Sequence, residues 1–91
     1  MKLEQLRTIS VVRPGKGRRY SWLPVDRVDV TGFFVSYANS PLRPSLLDIQ
    51  EGDLVLWYDR DTPYQAYVDE VVVQRDTLQV AFRDVRVADP E

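Results

Sequence analysis

The chain has 91 residues, 44% hydrophobic and 29% charged, with a net charge of −2, which is the balance of an ordinary folded domain rather than a disordered one. Without His or Cys, it lacks the usual ligands of zinc, haem and iron–sulfur clusters and the Ser/His/Asp and Cys/His nucleophile systems, so no cofactor and no enzyme is expected. Its apolar runs all fall short of the ~18 residues that span a bilayer, and Met1 to Leu6 is too polar for a signal peptide, so the expected setting is cytoplasmic and off the membrane.

In chain order, Leu3 to Leu6 suits a helical turn, whereas Thr8 to Val12 is β-branched and strand-like. Pro14-Gly15-Lys16-Gly17 reads as a tight turn. Arg18 to Leu23 follows as a strand, with Tyr20 and Trp22 on one face and Arg19, Ser21 and Leu23 on the other. Pro24 ends it. Arg27 to Ala38 is the longest β candidate, and Gly32 breaks its alternation as a bulge. Asn39 to Pro44 is a loop. Ser45 to Asp48 fits the start of a one-turn helix, with Ser45 as N-cap and Leu46, Leu47 and Ile49 plugging one end of the fold.

From Gly52 to Val85 three apolar runs alternate with two turn signals, Asp61-Thr62-Pro63 and Gln74 to Thr77. Asp53, Val55 and Trp57 share one face of the first run, and Leu54, Leu56 and Tyr58 the other. Leu78, Val80 and Phe82 form the inward face of the last, and Val71 to Val73 marks a bend in the middle one. Such a meander belongs to a small antiparallel barrel, and cover for both faces of Asp53 to Tyr58 calls for the N-terminal strands as well, about six in all. The expectation is one all-β domain over 1–91, in which 1–45 completes or decorates a meander at 46–87.

The pieces Gly52-Asp53, Val55, Trp57-Tyr58, Asp59 to Asp61, Tyr64-Gln65-Ala66-Tyr67-Val68 and Val80-Ala81-Phe82-Arg83-Asp84 resemble the Tudor-like, SH3-like barrel family. The resemblance covers a little over a third of the chain. It implies an SH3-like barrel acting as a non-catalytic module for a protein or peptide partner. In some Tudor-like domains an aromatic cage holds methylated Lys or Arg by cation–π attraction. Trp57, Tyr58, Tyr64 and Phe82 are the matching aromatic positions. Core packing of the same rings is the plainer reading.

Two other functions compete. Arg13, Lys16, Arg18 and Arg19 cluster at a hairpin tip beside Tyr20 and Trp22, offering charge for phosphates and rings for stacking on nucleic-acid bases. An isoelectric point near 5.1 speaks against a dedicated nucleic-acid binder. Charge is also segregated along the chain. Met1 to Ser45 holds eight cations against three carboxylates, and Leu46 to Glu91 four against eleven. That pattern suits a basic binding face, mutual attraction of the two halves within one barrel, or a structural subunit assembling with its own copies. The carboxylates themselves, Asp59, Asp61, Asp76 and Asp84 among them, fall in turns and at strand ends, where solvation explains them.

Overall fold

A computed structural model describes residues 7–36 and 47–88. The strands are β1 (Arg7–Arg13), β2 (Gly17–Val25), β3 (Arg27–Asp29), β4 (Gly32–Ser36), β5 (Leu54–Asp59), β6 (Thr62–Val73) and β7 (Thr77–Val87). They form a single antiparallel sheet in the order β2-β1-β5-β6-β7-β4-β3, curled into a half-barrel. Only Asp26 separates β2 from β3, and its N–H donates to the Phe34 carbonyl at 2.9 Å. At that residue the chain passes from pairing with β1 to pairing with β4, so the two outermost strands are one bent segment.

The two-residue period decides what lies inside. Val55 and Trp57 on β5, Ala66 and Val68 on β6, and Leu78 and Val80 on β7 are buried, together with Ile9 and Val11 on β1 and Phe33 and Val35 on β4. Each large aliphatic side chain removed from water here contributes about 1.5–3 kcal/mol. The expected inward face of Leu78 and Val80 is in place, and Phe82 packs against the core with part of its ring exposed. The β6–β7 connection runs through Gln74, whose N–H donates to the Thr77 carbonyl at 2.9 Å. In β6 the register shifts between Val68 and Glu70, just before the run where a bend was expected.

Pro24 does not end the second strand, since β2 runs on to Val25 with Pro24 opposite Thr8, and three further expectations need correction here. The candidate strand Arg27 to Ala38 is instead the hairpin β3–β4, with Asp29 opposite Gly32. Asp29 drives the turn by accepting the Thr31 N–H at 2.8 Å, a local bond that competes with strand continuation. Gly32 is therefore not a bulge. It lies where a Cβ would sit 1.8 Å from the Val80 carbonyl oxygen, so only glycine lets β4 approach β7. The first turn of the meander also falls earlier than expected: Asp59 pairs with Thr62 across Arg60 and Asp61, so Thr62 and Pro63 already belong to β6.

The third correction concerns Leu47 to Gln50, which is not helical. Asp48 gives its amide and its carboxylate to side chains of the β1–β2 hairpin instead. Leu47 and Ile49 are buried even so, as core cover. The expected Ser45 cap, Leu46, the loop 39–44, the end of the long strand at Tyr37 and Ala38, and the N-terminal helical turn lie outside the described residues.

Candidate binding groove

The basic hairpin divides its cations between two roles. Arg13 closes β1 and turns inward. Its Nε and Nη2 donate to the two oxygens of Asp53 at 2.9 and 3.1 Å, a bidentate pair, and Nη1 donates to Asp48 Oδ2 at 3.1 Å. The Asp53 carboxylate is buried and also accepts the Gln50 N–H at 2.9 Å. Arg19 makes a second ion pair with Asp48. The Asp48 N–H donates to the Tyr20 hydroxyl at 2.7 Å. Hydrogen bonds from Arg13 and then from Arg19 hold the Asp48 carboxyl below its ordinary range, and the bonds to Asp53 and Asp48 raise Arg13 further above its own.

Arg13, Arg19 and Tyr20 are thus parts of a clasp that ties the hairpin tip to the segment before β5. No local motif shows this clasp, because its partners lie 35 and 40 residues apart in sequence. The opposite charges of the two halves of the chain were its one signal. Lys16 and Arg18 remain outside it, both exposed.

The aromatic set divides as well. Trp57 is buried and stacks on Tyr64 (centroids 5.6 Å, planes 18° apart) and on Phe82 (5.0 Å, 24°). Phe82 in turn meets Phe33 at 5.9 Å. These rings engage one another along the core side of the sheet. Tyr58, one residue on, points to the opposite face and is 63% exposed.

A bulge decides where Trp22 goes. Ile9 pairs with Leu23 and Val11 with Tyr20, so β2 carries one more residue than β1 over that stretch. Trp22 absorbs it by adopting a left-handed backbone, φ 58°. Tyr20 then packs on the core, Leu23 is buried, and Trp22 turns out to solvent, 76% exposed. The expectation that Tyr20 and Trp22 share a face is corrected by this extra residue. A left-handed, non-glycine backbone costs about 1–2 kcal/mol, and here it is spent presenting an indole to water.

Beside Trp22 an open groove of about 540 Å³ runs over β1 and β5. Arg18 and Trp22 line it from β2, Thr8 and Ser10 from β1, Leu56, Trp57 and Tyr58 from β5, and Pro63 and Tyr64 from β6. It brings together two members of the basic hairpin and three of the aromatic set. Arg13, Lys16, Arg19, Tyr20 and Phe82 are not part of its lining. Arg7 is the second cation in the wall, 3.8 Å from Asp59, both side chains about half-exposed. Among the described residues the lining holds no carboxylate. Among the described residues no group of three or more Asp or Glu is placed to hold a metal ion.

No family model, no curated protein and no solved structure matches this chain. Among the described residues no helix is long and apolar enough to cross a membrane.

Proposed function

We propose that this domain is a non-catalytic binding module that holds a protein or peptide segment in the groove beside Trp22. The observation that carries this reading is the pair of outward rings, Trp22 and Tyr58, flanking one concave surface. Large exposed aromatics over a groove are what protein partners use as anchors, because a ring buries much area with little side-chain entropy to lose. Trp22 supports the reading further, since an indole held outward on a strained backbone contributes nothing to this domain's own core. The rest of the site suits an extended segment. Leu56 and Pro63 supply an apolar floor, while Thr8 and Ser10 offer hydroxyls for the segment's backbone. We further read the half-barrel as SH3-like and close to the Tudor-like group, on the meander pieces from Gly52 to Asp84.

Selection from a random-peptide display library tests the module directly. Binders are expected whose affinity falls at least about tenfold, or roughly 1.4 kcal/mol, in both Trp22→Ala and Tyr58→Ala, with circular dichroism unchanged. An absence of binders, or binders indifferent to both substitutions, would overturn it.

The same rings beside Arg18 and Arg7 also suit stacking on single-stranded nucleic acid. With Arg13 and Arg19 already paired to carboxylates, that reading is left with fewer cations to neutralise phosphates than the hairpin sequence suggested. Log K should then fall with log[salt] at a slope no steeper than about −2, since each phosphate neutralised on a single strand contributes roughly −0.7.

A further inference from the structure

Resting on the peptide-binding reading, we infer that the groove selects acidic segments, seating an Asp or Glu carboxylate on Arg18 beside an apolar side chain held by Trp22 and Tyr58. Charge complementarity points this way. The molecule as a whole is acidic, with 14 carboxylates against 12 cations, yet among the described residues the groove lining contains Arg7 and Arg18 and no acid. Arg18 is the better-placed receptor. Its Nη1 donates to the Ser21 hydroxyl at 3.3 Å, and it forms no ion pair with a carboxylate among the described residues. A guanidinium has five N–H donors in a fork that matches a carboxylate, so the contact to Ser21 orients it and leaves donors for a ligand. Arg7 already has Asp59 at 3.8 Å and adds long-range attraction more than a seat.

Specificity follows from the clasp next door. Arg13 and Arg19 face Asp48 and Asp53, which removes them as competitors for the incoming acid and leaves Arg18 as the hairpin cation that lines the groove. A basic segment would meet two cations and, among the described lining residues, no carboxylate to receive it, so repulsion of basic segments accompanies attraction of acidic ones.

The experiment is peptide selection on the intact protein and on Arg18→Glu, followed by titration of the best synthetic peptide and its twin with every Asp and Glu replaced by the amide. Arg18 is exposed, so the variant is expected to fold, with an unchanged melting temperature as the check. Peptides selected on the native protein should be enriched several-fold in Asp and Glu over Lys and Arg. The amide twin should bind about three- to tenfold more weakly, with the gap narrowing at high salt. Arg18→Glu should lose the acidic preference or reverse it. Equal binding of peptide and twin overturns the acidic selectivity while the groove stands as a peptide site. Failure to select any peptide overturns both readings. Displacement of the best peptide by an oligothymidylate at lower concentration than the peptide's own overturns this inference in favour of nucleic acid.

Discussion

Trp22 and Gly32 are two residues whose backbones matter more than their side chains' contacts within the fold. At φ 58° any residue with a Cβ is strained, so the usual order of alanine over glycine should invert at position 22. Trp22→Gly is expected to be more stable than Trp22→Ala by about 0.5–1 kcal/mol in urea unfolding, the relief of strain less glycine's greater entropy loss. The opposite order would mean that the left-handed bulge is absent in solution. Gly32 has no such latitude. Gly32→Ala drives a methyl toward the Val80 carbonyl, which is backbone and cannot swing away. A loss of about 2–3 kcal/mol is expected from the forced separation of β4 and β7, and a loss under about 0.5 kcal/mol would contradict the close approach.

Among the elements, β7 and the hairpin β1–β2 make the clearest cases. Phe82 joins β7 to both β5, through Trp57, and β4, through Phe33. Its ring is only partly buried, so Phe82→Ala should cost about 3 kcal/mol, the lower end for a phenylalanine truncation. Unfolding in denaturant measures it, and a loss below about 1 kcal/mol would put Phe82 outside the core. The hairpin is held by the clasp instead. Arg13→Met leaves the buried Asp53 carboxylate without its cation and should lower Tm by several degrees. Adding Asp53→Leu should recover part of that loss, because an apolar pair of similar size needs no desolvated charge. A double variant less stable than Arg13→Met alone would show that the clasp contributes more than charge compensation.

At the scale of the whole molecule, two carboxylates held down by hydrogen bonds shape the response to acid. Asp29, held down first by its hydrogen bond with the Thr31 hydroxyl, and Asp48, held down first by Arg13, both ionise more readily in the fold than at the ordinary value of 3.8. A lowered native value means that the unfolded chain binds protons first as pH falls. The stability these groups contribute is therefore complete well above pH 3.8 and declines below it. It is gone once the native groups are themselves protonated. Tm should be flat near neutrality and fall steeply below about pH 4. Asp48→Asn should lower Tm at neutral pH and flatten the acid limb. An acid limb identical to that of the native protein would remove Asp48 from this account.

Composition and period were enough to read an all-β domain with Leu78 and Val80 facing inward, because side-chain alternation along a strand is a local property. The turn at Gln74 to Thr77 and the alternate faces of Trp57 and Tyr58 were legible for the same reason. Asp29's side chain pulling Thr31 into a turn was local too, but its effect was masked by the apolar run on either side. Tertiary structure alone decided the rest. Which side Trp22 faces depends on one extra residue in the pairing of β2 with β1, a mismatch that exists only between two strands. Whether Arg13 and Arg19 are free or bound depends on carboxylates that arrive from the other half of the chain. The groove itself is a relation among β1, β2, β5 and β6, and it forms only when the sheet curls and brings Trp22 and Tyr58 to one surface.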